Sequence, residues 1–364
     1  MKFLLTIFFV TLTIFQTITA CTVTQFYQVP VAVEICDNII LDNIEVPGGE
    51  TLVLHLRPGT TLQFRGNITF NHAVWHGPLV DIKGRNVKID GSDAILNGQG
   101  EKYWDGLGEW GSVKPDFFTI QLHNSTINNI HVLNAPLHGV FLTNSSHVEL
   151  DSWVIDNSQG NAEVNGLTKA GHNTDGFDIF NSTDIVLTNG VVNNQDDCVA
   201  LRSGANILVT DFVCQGGHGL SISVGFSNTS VHLNTLKNVT ISNSILEGGE
   251  NGIHIKTHVD AGNGLIQNVT YDNIVFQAPL KYGINIQENY QNLPANSTFP
   301  SEPRNNIPIK DLHLVNIIGN VGPQAVPIYI LCADEGCYDW SFEQVSVIGV
   351  TNNSCNYEPA NFKC

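Results

Sequence analysis

Basic residues are scarce in this sequence, which has 16 Lys and Arg against 34 Asp and Glu and a formal net charge of −18 at pH 7. Proteins that bind nucleic acid neutralise phosphates with Lys and Arg, so this balance argues against a nucleic-acid partner. A large net charge of one sign favours solubility. The acidic composition also suggests a working pH on the acid side.

Beyond Ala20, the sequence has no segment apolar enough to cross a bilayer. Residues 1–20, MKFLLTIFFVTLTIFQTITA, place Lys2 before an apolar stretch and small residues at Thr19-Ala20, which is typical of a secretory signal peptide. A membrane anchor is the alternative, but the apolar stretch is short for a span. We therefore predict a signal peptide over residues 1–20, one domain over residues 21–364, and secretion to the extracellular space without a membrane partner.

Metal-binding patterns such as C-x-x-C are absent, so we predict no zinc site, and nothing in the sequence calls for a cofactor. An even number of cysteines in a secreted chain predicts disulfides instead. The cysteines lie in sequence-local pairs, which suggests pinned turns and chain ends: Cys21, Cys36, Cys198, Cys214, Cys332, Cys337, Cys355 and Cys364. Nine N-x-S/T sequons also point to a secreted glycoprotein: Asn67, Asn124, Asn144, Asn181, Asn228, Asn238, Asn268, Asn296 and Asn352.

Helical periodicity is nearly absent, and a short Asn-led, β-branched phrase recurs instead, as in DIVLTNGVVN from Asp184 and QNVTYDNIVF from Gln267. Each copy alternates apolar and polar residues and turns at Asn or Gly, which predicts strands. Repeats this short must stack on one another, so we predict an all-β fold, a single-stranded right-handed parallel β-helix. A β-propeller is the alternative, but it needs a longer, more regular four-strand period. Residues 31–49 are apolar enough to cap one end of the solenoid, although a helix with the outline of a cap is hard to see there.

Three polar phrases occupy successive repeats: HNTDGFDIF, NNQDDCVALRSG and GGHGLSISVG. The interval from Asp175 to Asp196 equals the interval from Asp197 to His218, and each corresponds to about one coil of such a solenoid. We therefore expect Asp175, the adjacent pair Asp196 and Asp197, and His218 to converge on one patch. The alternative is a structural ladder of Asn and Asp side chains at turns.

Carboxylates packed together cannot all ionise easily, so we expect one raised pKa, giving an acid, while the others stay charged. An acid and a base of this kind are the groups needed to hydrolyse a glycosidic bond. The later phrase NGIHIKT places His254 and Lys256 on one face of a strand. Cations beside these acids suit an acidic sugar.

The phrases NGQGEKYWDG, NTD, DD, GHG and YGINIQENY, in this order, resemble the polygalacturonases of glycoside hydrolase family 28 over essentially the whole mature chain. The resemblance implies hydrolysis, with inversion, of α-1,4 bonds in polygalacturonate, the homogalacturonan of pectin. It implies that the protein is a monomer and that plant inhibitor proteins could bind it. It also implies the disulfides Cys21–Cys36, Cys198–Cys214, Cys332–Cys337 and Cys355–Cys364.

The resemblance also assigns roles to individual residues. It implies Asp196 as the general acid, with its protonation tuned by His218, and Asp175 and Asp197 as the residues that hold and activate water. The implied substrate-binding residues are Asn173, His254, Lys256 and Tyr290.

Two departures from the family pattern matter. His254 stands where the family has Arg, and His cannot form a bidentate clamp on a carboxylate. Since His is cationic only towards acid pH, we expect weaker substrate binding that falls further above about pH 6.5. The phrase GHGLSISVG is also shorter than usual by a single residue, which could shift the loop after His218.

Two other functions remain open at this point: hydrolysis of a related or decorated pectin, and non-catalytic pectin binding. The presence of all three candidate Asp residues disfavours mere binding. A pectate lyase is disfavoured because the calcium site and the arginine base of that chemistry are not signalled.

Overall fold

The computed structural model describes residues 20–164, 168–294, 297–298, 300 and 302–364. Of the predicted signal peptide, residues 1–19 lie outside the described residues, as does the sequon at Asn296. Within the described ranges, no helix is long and apolar enough to span a membrane.

The described part of the chain is built mainly of strands, which we number in chain order. The first twelve are β1 (Ala20–Val23), β2 (Asn38–Asp42), β3 (Glu45–Val46), β4 (Leu52–His55), β5 (Thr61–Phe70), β6 (Val80–Arg85), β7 (Lys88–Asn97), β8 (Phe118–Asn128), β9 (His131–Leu133), β10 (Val140–Thr143), β11 (Ser146–Asp151) and β12 (Val154–Asp156). The middle nine are β13 (Glu163–Val164), β14 (Thr168–Lys169), β15 (Phe177–Phe180), β16 (Ser182–Thr188), β17 (Val191–Asn194), β18 (Val199–Leu201), β19 (Gly204–Thr210), β20 (Val213–Gly216) and β21 (Leu220–Val224). The last nine are β22 (Thr235–Glu247), β23 (Asn251–His258), β24 (Leu265–Gln277), β25 (Tyr282–Tyr290), β26 (Ile309–Asn320), β27 (Val326–Leu331), β28 (Cys337–Tyr338), β29 (Ser341–Ile348) and β30 (Ser354–Cys355).

Helical segments are few and short in the described ranges. The α-helix α1 covers Val29–Ile35, and 3-10 turns cover Phe26–Gln28, Gly100–Lys102, Gly108–Trp110, Ser158–Asn161 and His232–Asn234.

All strands except the antiparallel pair β13–β14 join one sheet in which each strand pairs in parallel with strands of the neighbouring coils. A propeller would show antiparallel blades, so the prediction of a parallel β-helix is confirmed. One face of the solenoid is formed by β4, β6, the start of β8, β10, β15, β18, β21, β23, β25 and β27, and we call it the site face.

The core is made by inward residues that stack coil upon coil. On the site face, the register aligns Ile179, Leu201, Ile222, Ile255 and Ile286, all at most 1% exposed. Each strand alone could not bury its apolar side, so burial between coils supplies the stabilisation.

Bends of the chain inside β19, β22 and β24 use asparagine in the left-handed region, where non-glycine residues other than Asn and Asp are strained. Asn206, Asn238 and Asn268 have φ of 58°, 55° and 55°. The Nδ2 of Asn238 donates to the Oδ1 of Asn206 at 2.9 Å, and the Nδ2 of Asn268 to the Oδ1 of Asn238 at 3.0 Å. The recurrent Asn of the sequence therefore forms a ladder of stacked amides.

The predicted cap over residues 31–49 is helical only in its first part. Helix α1 begins with Pro30 in its first turn and buries Val29, Ala32 and Val33. From Asn38 onward, the alternating NIILD segment forms β2. A period of two favours a strand over a helix, and this explains the difference.

All four implied disulfides are present: Cys21–Cys36, Cys198–Cys214, Cys332–Cys337 and Cys355–Cys364. The first ties α1 to β1, and the second lies directly beside Asp197.

Candidate active site

The register of three site-face strands sets the position of the acidic residues. Phe177 of β15 aligns with Val199 of β18, which aligns with Leu220 of β21. Asp175, Asp197 and His218 each lie two residues before these positions, on successive coils. The amide of Gly176 donates to the carbonyl of Asp197 at 2.9 Å. The first of these coils is slightly longer than the second, so Asp175 aligns with Asp197 rather than with Asp196.

Asp196 is held by three hydrogen bonds. Its Oδ1 lies 2.9 Å from Nδ1 of His218 and accepts the amide of Asp197 at 2.8 Å. Its Oδ2 accepts Nδ2 of Asn173 at 3.2 Å. Asn173 has φ of 51° and accepts the amide of Glu109 at 3.1 Å, which fixes its side chain. Asn173 therefore lies in the cluster and orients Asp196.

The pair Asp196–His218 shares one proton, which lies on His218. Burial raises the pKa of Asp196, but the charge and hydrogen bond of His218 outweigh it and hold this pKa below its usual range. Burial lowers the pKa of His218, but Asp196 and Glu250 outweigh it and raise the pKa of His218 to about 9. Glu250 lies 3.6 Å from Nε2 of His218.

Asp197 is held by a separate pair of groups. Its Oδ2 accepts the ammonium of Lys256 at 2.9 Å, and its Oδ1 accepts the hydroxyl of Ser221 at 2.6 Å. Burial opposes the charge of Lys256, but the neighbouring carboxylates Asp197 and Asp196 raise the pKa of this lysine above its usual value. Lys256 is thus a permanent cation that fixes Asp197.

Asp175 is 4% exposed, and its pKa lies well above the usual value. Burial is the main cause, and the charges of Asp196 and Asp178 add to it. The sequence predicted one raised pKa and implied that it belongs to the acid Asp196. The structure places the raised pKa on Asp175 instead, because only Asp196 has His218 as a hydrogen-bonded cation.

His254 lies on the outward side of β23, where it is 7% exposed. Burial, together with the charges of Lys256 and His218, lowers the pKa of His254 well below its usual value. The expectation that His254 would be a cation titrating in the ordinary range of histidine is therefore wrong. Its Nδ1 lies 3.5 Å from Nδ2 of Asn251, and its buried Nε2 makes no hydrogen bond to the described residues.

Tyr290 closes this side of the cluster. The Nζ of Lys256 lies 4.9 Å from the centre of its ring, and the ring of His258 lies 4.9 Å away. The loop after His218 is regular at its start, because β21 stays in register with β23 from Leu220 to Val224.

The family model of Glycosyl hydrolases family 28 matches residues 36–364, which is most of the chain. The protein is a family 28 glycoside hydrolase. The resemblance expected from the sequence motifs is thereby confirmed.

Named relatives and solved structures resemble this family 28 hydrolase along nearly its whole length. A polygalacturonase of Phaedon cochleariae is 40% identical over 352 residues, which cover 95% of this chain and 93% of the relative. Endopolygalacturonase A of Aspergillus niger is 41% identical over 350 residues, covering 94% and 90%. Endopolygalacturonase I from Stereum purpureum, complexed with two galacturonate, superposes with a TM-score of 0.81 at 28% identity, covering 92% of this chain and 96% of that one.

Four polar residues of the family 28 site were missed from sequence: His138, Asp178, Arg202 and Ser221. Asp178 and Ser221 occupy the same outward row of the site face as His254. Both are 0% exposed, although an outward polar residue is normally solvated. A signal was available for these two, because both lie inside the quoted polar phrases. Arg202 also lies inside a quoted polar phrase, NNQDDCVALRSG, whereas His138 meets the cluster only through the fold.

Three clusters in the described residues have donor atoms close enough to hold a metal ion. One contains Cys332 and Cys337, whose sulfurs form a disulfide. The other two lie around Asp175 and Asp196. A metal there would compete with cations that the family 28 enzyme supplies itself, namely Arg202, Lys256 and protonated His218.

Proposed function

We propose that this family 28 hydrolase is a secreted polygalacturonase that hydrolyses α-1,4-galacturonosidic bonds of homogalacturonan with inversion. In this proposal residues 21–364 act as a monomeric single domain after removal of a signal peptide, and plant inhibitor proteins can bind it. The names of its relatives support the substrate class. The observation that carries the proposal is the cluster of three carboxylates, one hydrogen-bonded to a histidine and one to a buried lysine.

Asp196 is the proposed general acid. Before substrate binds, its proton lies on His218, at the other end of a 2.9 Å hydrogen bond. A sugar ring bound over the pair excludes water, and loss of water disfavours an ion pair relative to its neutral form. The proton then moves to Asp196, which donates it to the glycosidic oxygen as the bond from that oxygen to C1 breaks.

Asp175 and Asp197 are the proposed residues that hold and activate the water. The Oδ1 of Asp175 is buried and makes no hydrogen bond to the described residues, so it can accept one from water. As the water oxygen bonds to C1, its proton passes to Asp175. Asp197, fixed by Lys256 and Ser221, orients the same water.

Substrate recognition is assigned to Lys256, Tyr290 and His254. The ammonium of Lys256 attracts a galacturonate carboxylate, and the ring of Tyr290 offers a stacking surface to a sugar. His254 is neutral, so its Nε2 donates an uncharged hydrogen bond rather than a salt bridge.

Hydrolysis of a related or decorated pectin is the second candidate function. The neutral His254 favours this function. With fewer cations in the site, substrate binding depends less on the sugar having an unmodified carboxylate at that position. Pure pectin binding has no observation in its favour.

The test is release of reducing ends from polygalacturonate by the purified secreted protein, compared with Asp196→Asn, Asp175→Asn and Asp197→Asn. We expect each variant to lose activity by on the order of 10²–10⁴-fold while keeping its fold. Asp184→Asn, which changes a carboxylate of the outer turn ladder, is the matched control and should retain activity. An NMR measurement of the anomer formed first tests inversion.

Each outcome of that experiment has a defined meaning. Cleavage confined to a methyl-esterified or xylose-substituted pectin would favour the second function. Binding of polygalacturonate and of the substituted pectins without cleavage of any of them would contradict both proposals.

A further inference from the structure

Asp175 lies between two cations that belong to other coils. Its Oδ1 is 3.7 Å from Nε2 of His138, and its Oδ2 is 3.9 Å from Nη2 of Arg202. His138 precedes β10 on one side, and Arg202 follows β18 on the other. Both distances exceed a good hydrogen bond, so each cation acts on Asp175 mainly through its charge.

Each of these cations is fixed by a second carboxylate. Nδ1 of His138 lies 2.8 Å from Oδ1 of Asp116. Arg202 donates Nε and Nη2 to Oδ1 of Asp178 at 2.7 and 2.6 Å.

The guanidinium of Arg202 is also held between two aromatic rings. Its carbon Cζ lies 4.8 Å from the ring centre of Phe141 and 4.7 Å from that of Phe226. This clamp leaves the guanidinium little freedom, so its charge stays beside Asp175.

We propose that His138 and Arg202 are positioning residues whose charges favour the ionised form of Asp175, which is the form that can accept a proton from the attacking water. This inference rests on the proposed function, in which Asp175 is the base. The other two cations of the site serve the other two carboxylates: Lys256 contacts Asp197, and His218 contacts Asp196.

The charges around Asp175 explain why such residues are needed. Acidic groups face it from its own coil and from the coils on both sides; they are Asp178, Asp116, Asp196 and Asp197. The cations facing them are His138, Arg202, Lys256 and protonated His218, with Tyr290 more distant. Removing one cation leaves an excess of negative charge around a buried carboxyl, which favours its protonation.

The titration of both partners gives the direction in which His138 acts on Asp175. Burial lowers the pKa of His138, but Asp175 and Asp116 outweigh it and raise that pKa to about 10, so His138 is a cation throughout the acid range. For Asp175, burial and the charges of Asp196 and Asp178 raise the pKa, and His138 opposes them. Without these cations the carboxyl would stay protonated to a higher pH and could not serve as a base in acid.

The experiment is the pH profile of kcat/KM on polygalacturonate for Arg202→Gln and His138→Gln. We expect the acid limb of the profile to move upward by about one pH unit, because an opposite charge at this range shifts a pKa by at least that much. Activity should then fall roughly tenfold at low pH and much less near the top of the profile. Arg202→Lys, which keeps the charge, should restore most of the acid limb.

Removal of Arg202 also leaves Asp178 buried without its partner, so a second variant guards against misfolding. The double variant Arg202→Gln with Asp178→Asn removes both charges, and we expect an acid limb close to that of the parent protein. Arg65→Gln, which removes an exposed arginine paired with Asp42, is the matched control and should leave the profile unchanged. Thermal unfolding midpoints, measured at each pH, show which variants are folded.

The outcomes separate this inference from the proposed function. If Asp175→Asn keeps full activity, the proposed function of that residue fails, and this inference fails with it. If Asp175→Asn is inactive while folded His138→Gln and Arg202→Gln lose activity equally at every pH, or lose none, only this inference is overturned. An upward shift in His138→Gln, or an upward shift in Arg202→Gln that the double variant reverses, supports it.

Discussion

The same coils carry two stacks of polar side chains, and the two behave differently. On the turn ladder, Asp184, Asn206 and Asn238 lie at the surface on successive coils and bond amide to oxygen. On the site face, Asp175 and Asp197 lie buried on the first two of these coils. Both stacks follow the same spacing of about 4.8 Å. At that spacing, side-chain amides and oxygens form hydrogen bonds to one another. Buried carboxylates instead need a cation each. Because the cations differ, the carboxylates of the site have unequal proton affinities.

The largest expected effect comes from removing one of the cations. We expect Lys256→Gln to lower kcat by on the order of 10²–10⁴-fold, because Asp197 then loses the group that fixes it. Reducing-end assays with a folded variant measure this loss. Lys310→Gln, which removes a lysine lying over the ring of Tyr338, should have almost no effect on kcat. Comparable losses of kcat in Lys256→Gln and Lys310→Gln would mean that the lysine beside Asp197 contributes no more to catalysis than the lysine over Tyr338.

The next test compares the disulfide beside the site with another disulfide of the chain. Replacing Cys198 and Cys214 with Ala should lower the free energy of unfolding by about 3 kcal/mol, since the bond closes a loop of 16 residues. The same change at Cys332 and Cys337, which are 5 residues apart, should cost about 1 kcal/mol less by loop length alone. Urea unfolding measures both values, and the reverse order would argue that local strain dominates.

A buried carboxyl that forms no ion pair with any described residue shows what the site avoids. Glu288 is 0% exposed, its Oε2 accepts the amide of Ala333 at 2.7 Å, and its Oε1 makes no hydrogen bond to the described residues. Burial raises the pKa of Glu288 to about 7, with the Ala333 hydrogen bond opposing it.

This raised pKa predicts a pH-dependent stability. The folded protein keeps Glu288 protonated while the unfolded chain ionises near its ordinary pKa of 4.5. The stabilisation is therefore complete below about pH 4.5 and is lost as the pH rises to about 7. Glu288→Gln should remove on the order of 2–3 kcal/mol of that dependence, measured as unfolding free energy at pH 4 and pH 8. An unchanged pH dependence would contradict the assignment.

His254→Arg should strengthen substrate binding modestly. An arginine adds a fixed cation and a bidentate donor, so we expect KM for polygalacturonate to fall roughly fivefold to tenfold. The parent protein should show no step in KM near about pH 6.5, since His254 is neutral. A KM that does not change in His254→Arg would mean that this position does not contact the substrate.

The smallest effect is expected on the turn ladder. Asn206→Ala should cost about 1 kcal/mol of unfolding free energy, because Ala is strained at a φ of 58° and cannot bond to Asp184. Asn206→Gly relieves the strain and should cost less. Neither variant should alter kcat, and a loss of activity in either would link the ladder to the site.

The fold was predictable from sequence because its repeats are local and periodic. The phrases led by Asp184 and Gln267 carry both the strand alternation and the turn residue. The spacing of the acidic phrases predicted which coils would be neighbours, although Asp175 aligns with Asp197, the position after Asp196.

The chemistry of the site was less predictable, because it depends on contacts between coils. Sequence gives no distance between Arg202 and Asp175, nor the burial that neutralises His254. The order of proton affinities also depends on which carboxylate meets His218. These are properties of stacking, and they became visible only once the register was known.

The stacking of similar coils has an evolutionary consequence. Inserting one complete repeat would keep every later side chain on its original face, while inserting a fraction of a repeat would rotate them all. Genes for such proteins can therefore lengthen by whole repeats, each adding about 4.8 Å to the molecule without redesigning what is already there.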